Sequence, residues 1–184
     1  TNPKWKGKIV SPDPREGGLG ATMQFFYYSP EIGPEFIRKF FGGMDNTYAK
    51  NWQQMTNWLA QGKFAICMGC KDSQRAKNQG LPVDDFDTTH WKEGSSFSAG
   101  GGSMGYMNQA PHPNAAKVFI NWLLTREAQV VWAKDVETNS RRVGIEPGNP
   151  QYAVPPEAKF MQIDAEENLP HVVKTQDIAK AVIK

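Results

Sequence analysis

Short apolar runs alternate with amphipathic stretches along the chain, and this order predicts an α/β protein. Lys8–Val10 has the pattern of a short strand that stops at Pro12 and Pro14, because proline donates no hydrogen bond to a sheet. The run Phe64–Met68 has strand length and lies between glycines, which is typical of a buried strand. A further strand is expected at Ser103–Met107, after three consecutive glycines.

Apolar residues at helical spacing predict the intervening helices. The clearest has Pro113 in its first turn, followed by apolar positions at i, i+3, i+4, i+7 and i+8 from Ala116. Another should stop at Gly42–Gly43, since glycine readily takes the left-handed conformation at a helix end. Residues 84–94 look irregular, residues 138–156 look turn-rich, and residues 157–184 show weaker helical patterning. The predicted helices lie near residues 19–26, 36–41, 52–59, 73–79, 113–124 and 127–134.

Composition and charge narrow the class of protein. The chain has 184 residues, of which 39% are apolar and 22% are charged, so it can bury a core. No stretch approaches the roughly 18 apolar residues of a membrane span. A net charge of +2, with scattered basic residues, predicts no nucleic-acid partner. The start at Thr1, without Met or an apolar leader, suggests a removed signal peptide or an excised fragment.

The two cysteines form a single Cys67-x-x-Cys70 pair. A secreted disulfide framework would show more cysteines at wider spacing. Cys67 falls within an apolar strand, where it is expected to be a small core residue, and positions i and i+3 of a strand face opposite sides. A zinc site would need two further ligands, and the three histidines are dispersed. We therefore predict no metal site and no cofactor.

Three segments carry a resemblance to a known family. Lys4–Val10, followed by Pro12-Asp13-Pro14, resembles the family's "PxWKGKIxxPDP" segment. Trp58–Ile66 resembles its helix-to-strand step, and Ala110–Ile120 resembles its "APHPNAAK" helix. In order and spacing, these segments are similar to bacterial extracellular solute-binding proteins. Among these, the segments resemble the type 2 periplasmic binding proteins of the ferric-iron, thiamine, polyamine and phosphonate group.

The resemblance implies a two-lobed α/β protein with a mixed sheet flanked by helices, which closes on a small ligand at a hinge. It implies a periplasmic or extracellular location, with docking on the permease subunits of an ABC importer. Family members are longer, so the chain would be a C-terminal portion containing one lobe and part of the second. Residues 1–97 would belong to the second lobe, 98–150 to an incomplete first lobe, and 151–184 would return. A partner chain or dimer would then cover the incomplete lobe.

The first candidate ligand site is the glycine-rich turn after the first strand. A helix N-terminus there would offer unpaired N–H groups and partial positive charge to an anion. Arg15 would add a bidentate fork. The alternative is a tight turn with no ligand. The candidate ligand-binding residues of this turn are Arg15, Gly17, Gly18 and Gly20.

Two further candidate sites lie later in the chain. Lys71 and Asp72 follow the apolar strand, and ligands of open α/β folds bind beyond the carboxyl ends of strands. Ser98 and Gly101 lie in a Gly/Ser-rich loop that enters the cleft in the family. The alternatives are a solvated loop for the first pair and a flexible linker for the second.

The resemblance implies an extracytoplasmic solute-binding protein, and Arg15 with the helix N-terminus at the same turn favours an anionic or zwitterionic ligand. Iron-binding relatives carry adjacent tyrosines near Lys71, where this chain has none, so an iron-binding member without the tyrosine pair is one alternative. A second is the ligand-sensing domain of a regulator, although no helix-turn-helix is visible. A third is an enzyme with Cys70 as its nucleophile. No catalytic motif is present, and we predict a protein that is not an enzyme.

Overall fold

The computed structural model describes residues 1–86, 88, 91–97, 104–136, 138–148, 150, 153, 157–163 and 166–183. The chain divides into two compact units. The first comprises Thr1–Ser98 and Lys159–Lys184, and the second comprises Ala99–Ala158. The assignment of these stretches to the lobes of a binding protein remains a prediction.

A three-stranded parallel sheet forms the centre of the first unit. β1 (Ile9–Ser11) lies between β2 (Thr47–Tyr48) and β3 (Ile66–Cys67). A second parallel pair joins β4 (Ser95–Phe97) to β5 (Phe160–Gln162). The expected α/β class is confirmed, and so are the first strand and a shortened form of the second. The two residues of β2 are too few to show a strand periodicity.

Helices cover both faces of the three-stranded sheet. On one face, Ile9 packs with α1 (Gly20–Tyr28), α2 (Gly33–Gly43) and α7 (Leu169–Val182). On the other, Val10 packs with α3 (Trp52–Ala60) through Met55 and with Phe64. Adjacent residues of a strand point to opposite faces, so β1 is buried on both sides, as in other parallel sheets. The short α4 (Ser73–Asn78) follows β3.

The second predicted helix ends differently from expectation. Gly42 and Gly43 are the last residues of α2 rather than its left-handed cap. The residue with positive φ is Asp45, at 48°. Asp and Asn tolerate this region better than most side chains, so the left-handed residue after α2 is Asp45 and not glycine.

The C-terminal helix α7 is longer than its sequence pattern suggested. It spans 14 residues and packs on α1, α2 and the 3-10 turn Pro14–Glu16. Two of its fully buried positions are Thr175 and Ala179. The Thr175 hydroxyl donates to the Val172 carbonyl at 2.8 Å, which satisfies the buried polar group. Because a threonine and an alanine occupy the buried face, apolar periodicity underestimates this helix.

The second unit contains α5 (Pro113–Leu123) and α6 (Arg126–Asp135), and both helices are confirmed. Thr125 caps α6 by accepting from the Ala128 N–H at 3.3 Å. The strand expected at 103–107 is wrong over its described part: residues 104–107 pair with no strand, and all four are exposed. A short alternation of small and apolar residues does not form a strand without a neighbour to pair with.

Candidate functional site

The loops that follow the three parallel strands leave the sheet at one edge. Residues 12–19 follow β1, residues 49–51 follow β2, and residues 68–72 follow β3. Ligands of open α/β folds bind at the carboxyl ends of the strands, so this edge is the candidate site. We call it the carboxyl edge. It includes the predicted residues Arg15, Gly17, Gly18, Gly20, Lys71 and Asp72.

Arg15 is already paired with a carboxylate of its own turn. Its Nε donates to both carboxylate oxygens of Asp13, at 2.9 and 3.1 Å, and its Nη2 donates to Oδ2 at 2.7 Å. The Asp13 side chain also accepts from the Arg15 backbone N–H at 2.9 Å, and so caps the 3-10 turn Pro14–Glu16. The fork that the sequence assigned to a ligand is therefore shared with Asp13 in the structure.

This pairing shifts the pKa of both side chains. Hydrogen bonding to Arg15 is the largest cause that holds the pKa of Asp13 below its usual value, and it outweighs the opposing effect of burial. The same bond raises the pKa of Arg15. The guanidinium also lies 5.8 Å from the ring centroid of Tyr48, which comes from β2. Burial is the main reason that the pKa of Tyr48 lies above its usual value.

Two of the predicted glycines are required by the backbone of the turn. Gly17 has φ +82°, and a Cβ there would lie 3.1 Å from Nε2 of Gln176 on α7. A Cβ at Gly18 would lie 2.6 Å from the Cβ of Pro12, closer than real contacts allow. By contrast, a Cβ at Gly20 would meet nothing within 4 Å. Gly17 and Gly18 therefore shape the turn, whereas Gly20 leaves open space at the start of α1.

The N-terminus of α1 faces this edge without a side-chain cap. Leu19 occupies the cap position and makes no side-chain hydrogen bond. The Gly20 N–H bonds to the Gly17 carbonyl at 3.0 Å, while the N–H groups of Ala21 and Thr22 have no hydrogen-bond partner among the described residues. Unpaired amides and the partial positive charge of a helix start favour a negatively charged group.

The loop after β3 packs against the loop after β1. A Cβ at Gly69, which has φ +71°, would lie 3.3 Å from side-chain atoms of both Leu19 and Trp52. The Lys71 carbonyl accepts from the Thr56 hydroxyl at 2.7 Å, and the Lys71 ammonium lies 5.0 Å from the Trp52 ring centroid. The structure therefore places the two loops that carry the first two predicted groups side by side, with the close approach at Gly69 and Leu19.

Asp72 has an unusual backbone conformation. It is exposed, lies at the N-terminal cap position of α4 with φ 60°, and makes no capping hydrogen bond with its side chain. The third predicted group, Ser98 and Gly101, lies outside the described residues.

Cys67, which was expected to be a small core residue, packs half-buried against the core, and it forms a disulfide with Cys70 that was not expected. β3 ends at Cys67, and the positive φ of Gly69 turns the chain so that the two Cα atoms lie 5.8 Å apart. The rule that i and i+3 face opposite sides applies only while the strand continues. Both cysteines line a cavity of about 200 Å³, which also involves Pro82, Val83 and Phe86.

Other residues of this edge were missed by sequence reasoning. Lys50 pairs with Glu16 at 3.0 Å, and Tyr48 and Trp52 approach Arg15 and Lys71. To predict that these residues lie at the carboxyl edge, one must first predict β2, which is too short to show a pattern.

Tyr27 and Tyr28 lie in α1 with ring centroids 5.3 Å apart. Within the described part of the chain, no three His, Cys, Asp or Glu residues are placed to hold a metal.

A parallel sheet with loops gathered at its carboxyl edge is characteristic of ligand-binding α/β proteins. The model of the bacterial extracellular solute-binding protein family matches residues 3–130, well over half of the chain. The chain belongs to this family, which binds solutes outside the cytoplasm and is generally not enzymatic. No curated protein and no solved structure matches the chain. None of the described helices is long and apolar enough to cross a membrane.

Proposed function

We propose that this protein captures a small polar solute, anionic or zwitterionic, at the carboxyl edge and delivers it to an ABC importer. The observation that carries the proposal is the meeting of the loops after β1 and β3 at one edge of the sheet, in a member of a solute-binding family. A Cβ added at Gly69 would lie 3.3 Å from Leu19 and Trp52, so the loop that carries Lys71 lies close to the loop that carries Arg15, which supports the proposal of one shared site. Such an edge is where ligands bind in open α/β folds.

The charges of the carboxyl edge favour a ligand with a negatively charged group of modest total charge. Arg15 is paired with Asp13, and Lys50 is paired with Glu16, so neither presents a full unpaired charge. Among the described residues, the amides of Ala21 and Thr22 have no partner and Lys71 is exposed, so these groups remain to meet an anion. Asp72 next to Lys71 would meet a positive group of a zwitterion.

The wider context of the proposal comes from the family resemblance. The chain would represent the C-terminal portion of a type 2 periplasmic binding protein related to the ferric-iron, thiamine, polyamine and phosphonate group. Ligand capture would involve hinge closure between two lobes, and the closed form would dock on the permease. The family match over residues 3–130 supports the solute-binding role on which these further proposals depend.

A thermal-shift screen tests the proposal. The panel contains thiamine, phosphonates, phosphate, small carboxylates, polyamines and ferric iron with carbonate. A ligand present at about 100 times its dissociation constant should stabilise the chain by about 2.7 kcal/mol. For a chain of this size, that raises Tm by roughly 5–11 °C. A response to phosphonate or a carboxylate supports the proposal, whereas a response to polyamines alone would overturn the assigned charge class.

Two lysines provide a matched pair of variants for the same screen. Lys71 follows β3 at the carboxyl edge, and Lys63 precedes β3 at the opposite end; each stacks over a tryptophan, at 5.0 and 4.2 Å. Lys71→Ala should weaken binding by about 1.5–3 kcal/mol, because a charged hydrogen bond to the ligand is lost. Lys63→Ala should leave the ligand-induced shift unchanged. Equal effects of the two variants would show that the ligand binds elsewhere.

A further inference from the structure

The Cys67–Cys70 disulfide fixes the direction in which the chain leaves β3. Cys67 is the last residue of the strand, and Cys70 directly precedes Lys71. Between them, the Met68 N–H still bonds to the Val10 carbonyl at 3.0 Å, and Gly69 then turns the chain with φ +71°. The bridge therefore ties the start of the ligand loop, residues 69–72, to the end of a core strand.

The ligand loop depends on a small number of restraints. The Lys71 carbonyl accepts from the Thr56 hydroxyl at 2.7 Å, and Leu19 and Trp52 leave little space at Gly69, where an added Cβ would lie 3.3 Å from each. Asp72 lies at φ 60°, in the left-handed region that aspartate tolerates better than most side chains. Loss of one restraint should therefore let Lys71 and Asp72 move more freely.

The bond is placed where another thiol can reach it. Cys67 and Cys70 are each half-buried, and both line the cavity of about 200 Å³ beside β3. Phe86, which also lines this cavity, is itself exposed. Thiol–disulfide exchange requires an attacking thiolate to approach a sulfur, and accessible disulfides are the more labile ones.

We propose that Cys67–Cys70 is a redox switch that locks the ligand loop when oxidised and releases it when reduced. The partner is a protein dithiol. One of its thiolates attacks a sulfur of the bridge and forms a mixed disulfide, and its second thiol resolves this intermediate. The partner leaves oxidised, and Cys67 and Cys70 each take up one proton as thiols. That this switch regulates solute capture rests on the proposed function.

The pair serves as the substrate of exchange rather than as its catalyst. A catalytic Cys-x-x-Cys pair uses a helix N-terminus to lower the pKa of its attacking thiol. Here α4 begins at Ser73, three residues after Cys70, and it has only six residues. The proposed role of this bond is therefore conformational, and it does not require the pair to act as an oxidoreductase centre.

The test uses the folded chain without any ligand, so it is independent of the proposed function. The chain is reduced with dithiothreitol under native conditions, alkylated, and followed by hydrogen exchange with mass spectrometry. We expect two alkyl groups. The amides of Met68 and Ala76 flank the ligand loop and bond to the Val10 and Asp72 carbonyls, and we expect them to exchange about tenfold faster or more, since a cross-link restricts the opened loop. Amides of α2 should exchange at the same rate in both forms. Alkylation that occurs only when α2 also unfolds would overturn the proposal, as would unchanged exchange at Met68 and Ala76.

A double variant, Cys67→Ser with Cys70→Ser, gives a permanently open form. It should reproduce the exchange pattern of the reduced chain in the absence of reductant. A double variant with the slow exchange of the oxidised chain would overturn the proposal. If this variant does not fold, the reduced wild-type chain still decides the question, because it contains no substitution.

Discussion

Helices α2 and α5 have similar sequences in outline but very different surroundings. Each has 11 residues, a proline in its first turn and an apolar face. α2 buries Ile37, Phe40 and Phe41, whereas no residue of α5 is buried, and Phe119 and Trp122 are 53% and 55% exposed. Periodicity therefore predicts that a helix forms, and the rest of the chain determines whether its apolar face is covered.

The difference arises from the neighbours that each unit supplies. α2 packs against α1 and α7, which close over the face of β1 that bears Ile9. In its own unit, α5 packs with α6. Its remaining apolar side chains border a shallow groove formed by Asn114, Ala115, Val118, Phe119 and Trp122. Substitutions on the two helices should consequently have different costs.

The largest effect is expected for Ile37→Ala in α2. Ile37 has no exposed surface, so truncation removes buried methyl groups and leaves a cavity. The free energy of unfolding should fall by about 2–5 kcal/mol, measured by urea denaturation followed by circular dichroism. Lys39→Ala, on the exposed side of the same helix, should change it by less than about 0.5 kcal/mol. A cost for Ile37→Ala below about 1 kcal/mol would remove the contrast between the two helices.

A second substitution tests the close packing of the turn after β1, in the same unit as α2. Gly18→Ala places a Cβ 2.6 Å from the Cβ of Pro12, and the resulting strain should cost about 1–3 kcal/mol in urea denaturation. Gly20→Ala meets nothing within 4 Å and should be neutral or add about 0.4–1 kcal/mol, because alanine restricts the unfolded chain. If both variants lose the same free energy of unfolding, the close approach at Gly18 is not the cause of the loss.

The same contrast explains how much of the fold was predictable. The strand at Ile9 and helices α1, α2, α3, α5 and α6 follow from apolar spacing and from glycine and proline positions. The length of α7 does not, because Thr175 and Ala179 occupy its buried face. β2 does not either, because two residues carry no periodicity. In each miss, burial is decided by residues distant in sequence.

At the carboxyl edge, too, only part of the candidate site could be predicted from the sequence. The turn and Lys71 could be predicted, since parallel strands must end at a common edge. The pairing of Arg15 with Asp13 was missed, although a carboxylate two residues before an arginine in a Pro-rich turn is a local signal that could have revealed it. The disulfide was missed because its geometry depends on where β3 ends and on the φ of Gly69.

A smaller effect is expected from Asp13, whose pKa is lowered in the folded chain. A lowered pKa means that Asp13 stabilises the fold fully above its usual value of 3.8 and loses this contribution as the pH falls through the folded pKa. Asp13→Ala should cost about 1 kcal/mol at neutral pH through loss of the cap. Asp13→Asn keeps an acceptor for the Arg15 N–H but removes the charge, so its unfolding free energy should decline less steeply below pH 3.8 than that of wild type. Identical acid profiles for the Asp13→Asn variant and the wild-type chain would contradict the shifted pKa.

The smallest effect is expected for Phe119→Ala on α5. The ring is more than half exposed, so its removal should change the free energy of unfolding by less than about 0.5 kcal/mol. Thr125→Ala provides the control within the same unit, because loss of the cap on α6 should cost about 1 kcal/mol and proves that the assay detects changes there. A cost of about 2 kcal/mol or more for Phe119→Ala would show that this face is covered in solution. In that case α5 would resemble α2, and dilution of the protein should then lower the measured stability if the cover is a second copy of the chain.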